Sequence, residues 1–102
     1  MSANPHRGEA SIIVAGETLL LRPSFTALVL AEEELGSLFA LVERAAEGRL
    51  SLGEIAALFD HLSRGRPPAI DRDMIGEAVV AIGLAKVAPV LRAVLGQILK
   101  GR

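Results

Sequence analysis

The sequence has no cysteine, no tryptophan and no tyrosine, and these absences exclude several kinds of site. Without cysteine there is no disulfide framework, no thiolate nucleophile and no cysteine-based zinc site. Only 3% of the residues are aromatic, so the chain lacks a stacking platform for single-stranded nucleic acid or sugars. The net charge of −1 also argues against a general nucleic-acid binder. We therefore expect no nucleic acid among the partners.

A long hydrophobic run is missing as well. The longest, from Ala78 to Ala85, is interrupted by Gly83, so nothing in the sequence is expected to span a bilayer. The first residues are polar and lack the apolar segment of a secretory signal. We expect a cytoplasmic protein without membrane contact, with residues 1–8 as a disordered lead-in and residues 9–102 as a single domain.

Charge is unevenly distributed along the chain. Residues 31–60 hold seven acidic and two basic side chains, whereas residues 61–102 hold three acidic and seven basic ones. The two regions could pair within the fold, or head-to-tail between copies in a homo-oligomer. The alternative is that both are ordinary solvated helix faces.

Two short apolar runs around Ala15-Gly16 predict a β-hairpin. A two-residue turn gives the pairs Val14–Glu17, Ile13–Thr18, Ile12–Leu19, Ser11–Leu20, Ala10–Leu21 and Glu9–Arg22. The face with Ile12 and Leu19 is the predicted core side, and the other face leaves Ile13 and Leu20 among polar neighbours. A lone ribbon has two open edges, so it must be covered by helices or paired with a neighbour.

Capping and terminating residues predict helices over the remainder of the chain. The predicted N-caps are Ser24, Ser37, Ser51 and either Asp71 or Asp73, and the predicted ends lie at Gly36, Gly48, near Gly65 and at Gly83. The spacing of Ser51 and Glu54 matches a capping box. In the first helix, Phe25, Leu28, Val29 and Leu35 can share one broad apolar face.

The final helix has the widest apolar stripe of the chain. Its residues, at spacings of three and four, are Val87, Val90, Leu91, Val94, Leu95, Ile98 and Leu99. Such a stripe must be buried against the rest of the chain or against a partner. Pro89 is tolerated in a first turn, so we expect the helix to begin near Lys86; an earlier start implies a kink. The predicted fold class is α+β, mostly α: an N-terminal two-stranded β-hairpin followed by a compact bundle of four to five short helices.

Candidate chemical groups are few. Glu32, Glu33 and Glu34 would point about 100° apart on a helix, so they cannot converge on one metal ion. Neither His6 nor His61, which follows Asp60, has further ligands or a nucleophile at a recognisable spacing. The basic loop Arg64-Gly65-Arg66 could hold a phosphate or a carboxylate, or simply complement a helix C-terminus. We expect no catalytic residue, no cofactor and no metal.

A series of structural motifs carries a family resemblance. They are His6-Arg7-Gly8-Glu9 before the hairpin, Leu21-Arg22-Pro23-Ser24-Phe25-Thr26-Ala27-Leu28, Glu33-Glu34-Leu35-Gly36, Glu47-Gly48-Arg49-Leu50-Ser51, and Gly83-Leu84 before the terminal helix. In this order and spacing, from His6 to Leu99, the chain resembles the small tail proteins encoded in alphaproteobacterial gene transfer agents and related prophages.

The resemblance implies a non-enzymatic role in building a phage-like tail through protein–protein contact. It favours a tail assembly chaperone, which coats the tape-measure protein until tail-tube subunits polymerise around it. The alternative is a structural tail-tube component retained in the particle, although such subunits are generally β-sandwiches. The expected partners are the tape-measure and tail-tube proteins. The candidate protein-binding residues are Ile13, Leu20, Val87, Leu91, Val94 and Ile98.

Overall fold

A computed structural model describes residues 10–101. Its elements are β1 (Ala10–Val14), β2 (Glu17–Leu21), α1 (Phe25–Leu35), α2 (Leu38–Ala46), α3 (Leu52–Leu62), α4 (Arg72–Ile82) and α5 (Leu84–Lys100). An N-terminal hairpin followed by five helices confirms the predicted fold class. The predicted lead-in and Glu9, the predicted partner of Arg22, lie outside the described residues.

The hairpin has the predicted register in every pair that the structure describes, from Val14–Glu17 to Ala10–Leu21. Ala15 and Gly16 both adopt positive φ, 51° and 78°, which is the signature of a type I′ turn. This turn matches the twist of the two strands and so fixes the pairing. As a result, the side chains of Ile12, Val14, Leu19 and Leu21 all point into the core.

Side chains cap four of the five helices at the expected places. Ser24 and Ser37 accept hydrogen bonds from the first turns of α1 and α2. Ser51 and Glu54 form the predicted capping box of α3, with N···O distances of 3.2 and 2.9 Å. Asp71, the first of the two predicted alternatives, caps α4. These local bonds satisfy backbone N–H groups that have no partner within a helix.

Two predicted helix boundaries are wrong. α3 ends at Leu62 rather than near Gly65, because Ser63 leaves the helical conformation. α5 begins at Leu84 rather than near Lys86, because Gly83 serves both helices. Gly83 adopts a φ of 103°. Its N–H donates to the carbonyl of Val79 and ends α4, while its carbonyl accepts hydrogen bonds from the N–H groups of Lys86 and Val87 in α5. Pro89 therefore lies inside α5 instead of in its first turn.

α3 is the centre of the core. It packs against α1, α4 and β2, and six of its eleven residues are buried. Phe59, completely buried, is the largest core side chain. α5 packs against α2, α4 and β1, so the apolar stripe predicted from its sequence covers the remaining side of the core. Leu99 is the exception: it was predicted as part of this stripe but is 55% exposed at the end of α5.

None of the helices within residues 10–101 is by itself long and apolar enough to cross a membrane. α4 and α5 meet the length and composition requirement only as a pair, and the pair is bent by 117° at Gly83.

Candidate protein-binding surface

A mostly apolar groove of about 360 Å³, which we call the hairpin groove, lies between β1, the end of α4 and the start of α5. Its lining residues are Ser11, Ile12, Ile13, Phe59, Ile82, Lys86, Val87 and Val90. Ile13 is 62% exposed at this groove, whereas Val87 is buried beneath it. Two of the predicted binding residues, from opposite parts of the sequence, are therefore brought together here.

The other predicted binding residues lie elsewhere. Leu20 is half-buried on the outer face of the hairpin, paired with Ser11. Leu91 and Val94 are buried, and Ile98 is half-buried against the core. In this fold α5 packs against α2 and the hairpin, and Leu91 and Val94 are covered by the chain itself. Their role in partner binding stays a prediction.

β1 has an edge without a backbone partner among residues 10–101. Val14 and Glu17 flank the two-residue turn as a hydrogen-bonded pair, so Ser11 and Ile13 direct their N–H and C=O groups away from β2. No backbone hydrogen bond from another described element reaches either residue. Such an edge can pair with a further strand, which makes it a second feature suited to partner binding.

Two of the three phenylalanines are exposed, Phe25 by 84% and Phe39 by 72%. The expectation that Phe25 shares the apolar face of α1 is wrong. α1 packs against α3 through its buried residues Ala27 and Ala31, one helical turn apart, and this contact turns Phe25 away from the core. The exposure of Phe39 is not among the predictions from the sequence. Around the axis of α2, Phe39 lies about 100° from the stripe formed by Leu38, Leu41 and Ala45, and this position indicates that it is exposed.

An ion-pair network connects α1, α3, α4 and the loop between α3 and α4. Glu34 of α1 accepts two hydrogen bonds from Arg72 of α4, at 2.5 and 2.8 Å, and lies 2.7 Å from Nε2 of His61 of α3. Arg72 also donates to Asp60 at 2.8 Å, and Asp60 pairs with Arg66. Three helices are thus held together by alternating charges.

The network changes the acidity of its central carboxylate. Hydrogen bonds from Arg72 and His61 lower the pKa of Glu34 from 4.5 to about 2. The carboxylates of Glu34 and Asp60 in turn raise the pKa of Arg72. A second pair joins α2 to α3, where the bidentate contact of Arg44 lowers the pKa of Glu54 from 4.5 to about 2. Both carboxylates are therefore charged far below neutral pH.

Of the two interpretations of the basic loop, anion binding or complementing the end of a helix, the contacts of Arg66 favour the second. Its guanidinium pairs with Asp60 and donates to the carbonyls of Ile70, Asp60 and Ser63. These contacts occupy the donors that an anion would need, and Arg64 is left exposed beside it. Within residues 10–101 no group of three or more potential ligands could hold a metal ion.

A protein-family model described as "Phage tail tube protein, GTA-gp10" matches residues 7–101. No curated protein and no solved structure matches the chain. The family match extends over all seven described elements, so it includes the hairpin groove, the exposed phenylalanines and the ion-pair network.

Proposed function

The chain belongs to the GTA-gp10 family of phage tail tube proteins, and from this premise we propose that it is a tail assembly chaperone. In this role it acts in the cytoplasm and binds the tape-measure protein through apolar surface, without catalysing a reaction. It is released when tail-tube subunits polymerise around the tape measure.

The observation that supports the proposal is the exposure of large apolar side chains on the hairpin and on the first two helices. Ile13, Phe25 and Phe39 are each more than 60% exposed on a chain with only three aromatic residues. Aromatic side chains are the most frequent anchors of protein interfaces because they bury a large area at low entropic cost. A partner helix could bury side chains of this kind through its own apolar face.

A second candidate, a structural tail-tube component, is favoured by the open edge of β1. Subunits that add strands to one another need such an edge, and Ser11 and Ile13 supply one. The strands are only five residues long, however, and form a two-stranded sheet. We therefore prefer the chaperone, which needs apolar surface rather than an extended sheet.

The proposal is tested by light scattering of the full chain, alone and with the tape-measure protein of the same locus. We expect a stable complex with the tape measure. Phe25→Ser and Phe39→Ser should each weaken it about tenfold or more, because each removes an aromatic anchor. Leu99→Ser is the matched control, since Leu99 is 55% exposed but lies at the far end of α5.

Two outcomes would contradict the chaperone. One is a chain that forms no complex with the tape measure, whether or not it associates with itself. The other is recovery of the chain in stoichiometric amounts from mature particles, where a chaperone should be absent and a tube component abundant. The second result would establish the structural alternative.

A further inference from the structure

A second groove, of about 800 Å³, runs between the outer surfaces of α3 and α4. Leu52 and Val80 line it as exposed apolar residues, and Gly53 and Gly76 lie beside them. Asp73 and Glu77 supply exposed carboxylates from α4. We call these six residues the acidic groove. It is distinct from the hairpin groove and from the exposed phenylalanines.

No contact within the described fold requires glycine, rather than a residue with a side chain, at the two positions in this groove. Glycine in a helix destabilises it relative to alanine, so it needs a structural reason. Neither Gly53 nor Gly76 has a positive φ. A Cβ on Gly53 would meet no atom within 4 Å, and one on Gly76 would lie 3.7 Å from the Cβ of Ala56, an ordinary contact. Their missing side chains leave room for a close approach from outside the chain.

The groove is negatively charged. The carboxylates of Glu34 and Glu54, which also border it, are paired with Arg72 and Arg44. Asp73 and Glu77 make no ion pair with any residue between 10 and 101. An occupant should therefore be basic and should present small side chains where the glycines lie.

The exposed face of α5 has this chemistry. α5 contains no acidic residue, and its three basic residues, Lys86, Arg92 and Lys100, are exposed without ion pairs inside the described fold. Small residues Ala85 and Ala93 lie on the same side, at helical spacing from Arg92 and Lys100. This side points away from the buried stripe of Leu91 and Leu95, so it is open to a neighbour.

We propose that the acidic groove of one copy of this chain binds the exposed face of α5 of a second copy. The two surfaces are different, so the contact is head-to-tail, and a bound pair still has one free groove on one copy and one free α5 face on the other. Repetition of such a contact gives a ring if the rotation closes and a filament if it does not. This self-association goes beyond the proposed function and requires no tape measure.

Sedimentation velocity of the full chain over a range of concentrations tests this proposal. We expect reversible association that weakens at raised salt, because the complementary charges are screened. The leucine side chain of Gly53→Leu should fill the acidic groove, and the carboxylate of Arg92→Glu should be repelled by the carboxylates of the groove. Each variant should weaken association about tenfold or more. Ala46→Leu, at an exposed position on α2, is the matched control and should associate like the wild type. Circular dichroism verifies that each variant is folded.

Mixing the two variants gives the decisive result. The Gly53→Leu chain keeps an intact α5 face, and the Arg92→Glu chain keeps an intact groove. Together they should form a one-to-one heterodimer that cannot grow, since the remaining groove is blocked and the remaining α5 face is repelled. The proposal is overturned if the wild type stays monomeric, if Gly53→Leu associates normally, or if the mixture forms no heterodimer. It is also overturned if Gly53→Leu impairs only binding of the tape measure.

Discussion

At the scale of single residues, Glu34 shows how much one surface carboxylate can connect. It contacts His61, 27 residues away, and Arg72, 38 residues away, and so joins the first helix to the third and fourth. Isolated surface ion pairs stabilise a protein little, but a bidentate arginine within a network holds its geometry better. The depressed pKa of Glu34 is the measurable trace of these contacts.

The stability of the protein should therefore fall in acid. The pKa of Glu34 is lower in the folded chain, about 2 against 4.5, so its contribution is present above pH 4.5 and lost as the pH falls towards 2. Glu34→Gln should reduce the free energy of unfolding at pH 7 and flatten its decline below pH 4.5. Urea denaturation at several pH values measures both effects.

A matched variant separates this network from general charge effects. Glu33→Gln changes an exposed carboxylate on the same helix that makes no ion pair with residues 10–101. It should preserve the acid dependence of the wild type. An unchanged pH profile in Glu34→Gln would show that the network does not contribute to folding. Glu54 shares the same dependence, so the double variant Glu34→Gln/Glu54→Gln should have the flattest profile.

At the scale of elements, α5 contains a local conflict. Pro89 is the sixth residue of the helix, where it has no N–H to donate to the carbonyl of Ala85. Tertiary packing overrides this cost, because Val87 and Leu91 on either side of the proline are buried in the core. The helix therefore forms in spite of its sequence at this point.

Pro89→Ala should stabilise the protein. The substitution restores a backbone hydrogen bond at an exposed position, and we expect the free energy of unfolding to rise by about 1–3 kcal/mol. Urea denaturation measures the change, and far-ultraviolet circular dichroism should show unchanged or slightly greater helicity. A loss of stability would mean that the core requires the geometry that the proline imposes on α5.

The elements also show which parts of the fold could be predicted from sequence. The capping box of Ser51 and Glu54 and the turn at Ala15-Gly16 depend on neighbours within four residues, so the local pattern was sufficient. The start of α5 differs from the prediction because Gly83 begins the helix and the burial of Val87 and Leu91 keeps it continuous through Pro89, which no local pattern reveals. Phe25 was misplaced for a similar reason, since the choice of Ala27 and Ala31 as the contact face is a tertiary one.

The candidate binding residues likewise include some whose exposure could be predicted from the local sequence and others whose surroundings could not. Strict alternation along β1 identified Ile13 as an exposed apolar residue. Periodicity along α5 identified Val87, Leu91 and Val94 as one face, but it does not say whether the chain or a partner covers that face. The fold uses all three internally. The partners of Glu34 are too distant in sequence for any local pattern to reveal them.

At the scale of the whole molecule, the phenylalanines occupy two different environments, the core and the surface. Phe59 is fully buried at the centre of the core, whereas Phe25 is 84% exposed. A domain of this size has a net stability of about 5–15 kcal/mol, so one large core side chain is a substantial part of it. The same substitution at the two positions should therefore change the free energy of unfolding by very different amounts.

Phe59→Ala should cost about 3–5 kcal/mol and leave the chain largely unfolded or loosely packed, because it removes a ring and opens a cavity. Phe25→Ala should change the free energy of unfolding by only about 0.5 kcal/mol, because its ring is mostly in water already. Thermal denaturation followed by circular dichroism distinguishes the two. Comparable destabilisation by both variants would mean that Phe25 is packed against the core rather than exposed.

The contact between β1 and α5 joins the first and the last of the described elements, so it can form only after nearly all of the described chain has been synthesised. The ribosome releases Ile12 and Ile13 long before Val87 and Val90 can cover them. Until α5 emerges, β1 lacks one of the two helices that pack against it and has an open strand edge, a condition under which neighbouring chains mispair. Chains made side by side on one messenger are therefore most vulnerable to one another just before the final helix is released.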